Sequence, residues 1–316
     1  TYFVHADAAL GDQTLRTVGQ LRADEYRAPQ FQVDVIPPSR ELRAGDAVRA
    51  EVMARYLFGG GMPSAKVRWT VARESVAFEP PGNEGFTFGP RSWWWDDEEP
   101  SPTADVFASG EGETGPLGLL ALDAGVAEAP GGRTFGYTVE AEVEDVNRQR
   151  IANRSRITVH PASVYAGVRR RSTGFAETGR EATLEVVAAA PDGARRAGLS
   201  VEVSLVRREW KWIRKRGVGG EWRWENEVAE TAAGSCRVKT ETAPVGCPFT
   251  PKDPGLYVAA ATVKDEQGRT QTTRFPFYAV GSGWVSWQRE ETDKIDLVPD
   301  RRVYAPGQVA RVLVKS

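Results

Sequence analysis

The sequence predicts an all-β protein made of tandem antiparallel β-sandwich domains, and three observations carry that expectation. Apolar and polar residues alternate in about ten short segments, the period-two spacing that turns one strand face to a core. Glycine and proline supply 32 and 20 of the 316 residues and punctuate those segments with turns. No stretch of a dozen residues joins helical periodicity to capping residues. Hydrophobic residues at 41% and charged residues at 27% describe a chain that folds. A net charge of −2 gives no field that would gather nucleic acid, and no apolar run is long enough for a transmembrane helix.

Taken in order, the alternation runs through Phe31–Val35, Val48–Tyr56, Val67–Val71, Tyr137–Val143 and Ile157–Val159. It resumes at Ala182–Val187, Leu199–Val206, Tyr257–Val263 and Thr273–Tyr278, and a last apolar alternation at Val309–Val314 reads as a strand interrupted by the end of the sequence. Between Pro80 and Pro130 the pattern fails among prolines, glycines and acids, and a long inserted surface loop is expected there.

Two elements recur and set the domain organisation. A glycine followed by an alternating strand appears at Gly45, Gly179 and Gly307. A tyrosine strand appears at Tyr2, Tyr137 and Tyr257, ending in Asp145 and Asp265 at the second and third copies. The glycine element opens a domain and the tyrosine element nearly closes it. Residues 1–29 are therefore expected to finish one domain, 30–161 and 162–281 to form two complete ones, and 282–316 to begin another. Each complete sandwich is expected to fold independently, with a short linker between them.

At this point the residues resemble a known family. Tyr26–Val33 resembles the linker between successive macroglobulin domains of bacterial alpha-2-macroglobulins. Val52–Gly59, with Pro63 and Ala65–Trp69, is similar to the opening of such a domain, as is Asp296–Gly307 with Ala310–Ser316. The resemblance implies tandem macroglobulin sandwiches, with 30–161 as the third and 162–281 as the fourth. It further implies a scaffold for broad-spectrum protease trapping in the bacterial periplasm or cell envelope, the full-length protein being anchored or free. Its partners would be target proteases and neighbouring macroglobulin domains. In that family an internal thioester captures the attacker after a bait segment is cut. The thioester needs Cys-x-Glu-Gln, which neither Cys236 nor Cys247 heads, so bait and thioester are expected elsewhere. A different class, an Ig-like surface adhesin or carbohydrate-binding array, is the alternative.

The candidate site residues divide into structural and binding readings. Cys236 and Cys247 are the only cysteines, flank the turn at Thr242–Gly246, and are expected to pair given the oxidising compartment the resemblance implies. Trp210 and Trp212, then Trp222 and Trp224, lie on either side of the glycine-rich turn at Gly217–Gly220. Residues two apart share a strand face, and the two pairs are expected to lie opposite each other. Such a cluster serves as an interdomain contact or as an aromatic platform for sugar, peptide or single-stranded nucleic acid. Trp93, Trp94 and Trp95 precede a block of four acids, which reads as a solvated loop with tryptophans tucked into an interface; adjacent acids lack the alternate spacing of a calcium loop. Two histidines and two cysteines lack metal-ligand spacing, so no structural or catalytic zinc is expected, and no cofactor is assigned. His160, near Ser155 and Ser163, lacks a nucleophile motif, so no catalytic residue is assigned and the chain is expected not to be an enzyme.

Overall fold

A computed structural model describes residues 2–11, 13–21, 29–90, 104–216, 221–282, 285, 296–301 and 304–315, with Trp212 and Trp224 described in backbone only. The chain opens with a hairpin of β1 (Tyr2–Leu10) and β2 (Gln13–Leu21). A first sandwich follows, from β3 (Phe31–Ile36), β4 (Glu41–Arg43), β5 (Ala47–Tyr56) and β6 (Lys66–Val76). The chain then leaves it for the two-residue β7 (Thr87–Phe88) and returns as β8 (Asp105–Glu113), β9 (Leu119–Val126), β10 (Thr134–Glu144) and β11 (Arg150–His160). The three-stranded sheet β3-β5-β9 faces the five-stranded sheet β4-β11-β10-β6-β8. The alternating positions Phe31, Val33 and Val35, then Val48, Ala50, Val52 and Ala54, meet Tyr137, Val139, Ala141 and Val143 in one core.

The second sandwich uses β12 (Tyr165–Arg170), β13 (Ala176–Glu177), β14 (Ala182–Ala189), β15 (Ser200–Arg216), β16 (Trp222–Lys239), β17 (Val245–Phe249), β18 (Gly255–Lys264) and β19 (Thr270–Val280). Its sheets are β17-β14-β12-β7 and β13-β19-β18-β15-β16, so β7 of the first unit is an edge strand of the second. A final hairpin pairs β20 (Asp296–Pro299) with β21 (Val312–Lys315).

The recurring elements have physical causes. Gly45, Gly179 and Gly307 all sit at positive φ, 96°, 75° and 84°, where a side chain would strain the turn into the strand. Tyr137 and Tyr257 each donate a hydroxyl hydrogen bond to an upstream carbonyl, of Glu128 at 2.9 Å and of Asp253 at 2.8 Å. Each thereby ties a loop to its own core.

The region 80–130 differs from the single inserted loop expected of it, because β8 and β9 are regular strands paired with β6 and β5. Their pattern is obscured by glycine. A Cβ on Gly110 would stand 2.5 Å from the Trp69 ring, and one on Gly112 would stand 3.1 Å from Leu120. Large neighbours thus fill the space a strand side chain would take.

Candidate functional site

Among the described residues no group of acids, histidines and cysteines gathers to hold a metal ion, and the most densely bonded polar and aromatic feature is the joint between the sandwiches. Residues after β6 cross to the second unit, where β7 pairs with Gly167 and Val168 of β12. Phe86 and Phe88 are 4% and 3% exposed, packed with Tyr165, Val187 and Ala189 on the outer face of the β12–β14 sheet. Gly167 makes this possible, since a Cβ there would lie 2.6 Å from the Phe88 ring. Arg169 stacks its guanidinium 4.3 Å from the Phe86 ring centroid. The Asn83 amide nitrogen donates to the carbonyls of Pro81 and Gly193, and its oxygen accepts from Arg195 at 3.1 Å. Past β7, the Gly89 N–H donates to Thr273 Oγ1 at 2.8 Å and its carbonyl accepts from the Arg274 N–H.

Beneath this crossing runs a buried polar chain. His160 ends β11, Tyr165 begins β12, and Thr134 begins β10. Tyr165 Oη lies 2.6 Å from His160 Nδ1 and 2.7 Å from Thr134 Oγ1. A proton on Nδ1 directs every bond one way and leaves only a lone pair at Nε2, which orphans no buried N–H. Burial, helped by the Arg43 charge, pushes the His160 pKa down to about 4, so the imidazole is neutral at ordinary pH. Burial likewise pushes the Tyr165 hydroxyl upward. Phe78 closes the joint edge-on against His160, ring centroids 4.7 Å apart. His160 is thus occupied in packing, with no serine bonded to it among the described residues. Ser163 instead donates from its N–H and hydroxyl to Asp265, at 3.0 and 3.2 Å.

The tryptophan hairpin is real but its register differs from the expected one. Trp210 pairs with Val228 and Trp212 with Asn226, whereas Trp222 and Trp224 lie opposite Arg216 and Arg214. The backbone register thus offsets the two tryptophan pairs along the ribbon, so that neither pair stands directly opposite the other. Trp210 is 5% exposed in a cluster with Leu256, Val258, Tyr278 and Val298, the last belonging to the final hairpin. Trp222 is 55% exposed, with the Arg214 guanidinium 5.1 Å from its ring. Trp93, Trp94 and Trp95 lie outside the described residues. Cys236 and Cys247 form a disulfide that joins β16 of one sheet to β17 of the other.

Sequence reasoning missed Phe78, Asn83, Phe86 and Phe88. The signal for them was indirect: the unbroken apolar run Val186–Ala190, which implies a strand covered on both faces.

Comparison with known proteins matches this architecture. Residues 167–284 match the family described as Bacterial macroglobulin domain 6. The ordinal in that description is six, where the resemblance implied the fourth. The alpha-2-macroglobulin homolog of Nostoc sp. is 26% identical over 308 residues, 98% of this chain. The chain spans 16% of that relative's length. The native conformation of E. coli alpha-2-macroglobulin superposes with a TM-score of 0.57 at 14% identity, over 98% of this chain and 20% of that one. Escherichia coli alpha-2-macroglobulin activated by porcine elastase gives 0.56 at 14% identity, over 94% and 25%. Residues 167–284 thus match a bacterial macroglobulin domain, and nearly the whole chain is similar in sequence and in fold to bacterial alpha-2-macroglobulins.

Proposed function

We propose that this chain is a non-enzymatic scaffold segment of a protease-trapping protein of the bacterial periplasm or cell envelope. The observation that carries this is its likeness over 98% of its length to a curated alpha-2-macroglobulin homolog. The E. coli protein of similar fold, described as activated by porcine elastase, supports a protease as the eventual partner. We divide the segment into macroglobulin units at 30–161 and 162–281, with residues 1–29 and 282–316 contributing to the units on either side. Its chemistry agrees with a passive role: both cysteines are consumed in the disulfide, so neither offers a thiol for a thioester. The described tryptophan contacts, Trp210 above all, favour bracing between units over ligand capture.

Incubating the chain with an equimolar broad-specificity protease should leave the protease fully active on a protein substrate, with no covalent adduct by mass spectrometry. The full-length protein carrying the segment should shield the same protease from that substrate. An adduct or inhibition by the chain alone would overturn the passive role, and failure of the full-length protein to shield would overturn the trapping role.

A further inference from the structure

We propose that residues 77–90 are a clasp that holds the two sandwiches at one fixed angle, so that they reorient as a single rigid body. A sandwich pair joined only by the linker at 161–164 would be free to swing, because a short chain segment constrains distance more than direction. The clasp adds a second, independent connection. It is bonded along its length: the Asn83 amide grips Gly193, β7 ladders onto β12, and Gly89 exchanges bonds with Thr273 and Arg274. It is also packed, with Phe86 and Phe88 buried on the far sandwich while Phe78 covers His160 and Tyr165 at the near end.

The receiving surface is shaped for this segment. Gly167 leaves room for the Phe88 ring, and Gly193, at φ 90°, would carry a Cβ 2.0 Å from the Pro81 carbonyl oxygen. Two adjoining positions are thus cut back to backbone where the clasp lies. At a separate point of the joint, Arg269 of the second sandwich donates to the Ala44 carbonyl of the first at 3.4 Å. Contacts at separate points of the joint oppose rotation about the linker. A pull or push on one sandwich is therefore passed to the next without loss at the joint, which is what a conformationally driven assembly requires of its frame.

The test measures angle and cooperativity together, on the whole chain. Spin labels placed at Glu140→Cys on the first sandwich and Glu202→Cys on the second report the separation of two exposed strand positions. The parent protein should give one narrow distance distribution and one calorimetric unfolding transition. Phe86→Ala with Phe88→Ala should broaden the distribution at least twofold and split the transition in two. Asn83→Ala, which leaves the aromatic packing in place, should broaden it by a smaller amount and guards against failure of the double variant to fold. A broad distribution or two transitions in the parent would overturn the clasp, as would an unchanged narrow distribution in the Asn83→Ala variant.

Discussion

The two sandwiches share a plan and treat their outer faces oppositely. The first faces the outside of its larger sheet with cross-strand ion pairs: Arg68 with Glu111, Arg156 with Glu74, and Arg150 with Glu144. The second covers both of its outer faces with neighbours. The clasp lies over Tyr165, Val187 and Ala189, and the β20–β21 hairpin lies over Leu256, Val258 and Trp210. Among the described residues, the first sandwich presents charge on that face and the second is packed against a neighbouring element on each side. The strands record this: β10 alternates valines with glutamates, whereas β14 and β18 run almost wholly apolar.

Removing a covered outer residue should therefore cost far more than removing a wet one. Trp210→Ala is expected to destabilise the chain by roughly 3–5 kcal/mol, because the ring is buried and its site cannot collapse between two sheets. Arg156→Ala, whose side chain is 56% exposed, should change stability by less than about 1 kcal/mol. Denaturant midpoints for the two variants check this. Equal losses would mean that the final hairpin does not seal the second sandwich.

The second difference is covalent. Cys236 and Cys247 staple the two sheets of the second sandwich across a sequence separation of 11, and the first sandwich contains no cysteine. Closing so short a loop should contribute roughly 2–3 kcal/mol through the unfolded chain. Reductant should lower the denaturant midpoint accordingly and raise hydrogen exchange first in β16 and β17. Exchange that rises equally in β10 and β11 would show that the staple supports the joint instead of its own sandwich.

What was legible in the sequence follows from these contrasts. Where one face is wet, alternation marks the strand, and Val48–Tyr56 and Tyr137–Val143 fall within β5 and β10. The disulfide was legible because only one pair could form. β8 was hidden, since Gly110 and Gly112 replace the residues that would have carried its pattern. The clasp was hidden because β7 is two residues long and its partner lies some eighty residues on, in another sandwich. The tryptophan register was misjudged because period two fixes which face a residue takes but not which residue stands opposite. That depends on the register, which places Val228 and Asn226, not the second tryptophan pair, opposite Trp210 and Trp212.

The smallest effect tests the comparison most finely, because it asks what one oxygen atom does at the joint. Asp145 and Asp265 build the same turn after β10 and β18. Each accepts at Oδ1 from the backbone two and four residues on, at 2.8 and 2.7 Å in the first case and 3.0 and 2.9 Å in the second. Among the described residues, only Asp265 uses Oδ2 as well, for the N–H and hydroxyl of Ser163 on the linker and for Arg269 Nε. Asparagine keeps one oxygen for the turn but turns a donor toward those groups. Asp145→Asn should thus be nearly neutral, within about 0.5 kcal/mol, while Asp265→Asn should cost about 1–3 kcal/mol. Burial raises the Asp265 pKa, but the bonds from Ser163 and Arg269 outweigh it and hold the group below its ordinary range. A folded pKa below the unfolded one means that this stabilisation is complete above roughly pH 4 and is lost as pH falls through the folded value. The gap between the two variants should close in acid, which urea midpoints at pH 7 and pH 3 will show. A gap that persists unchanged at pH 3 would place the effect in packing and not in the carboxylate.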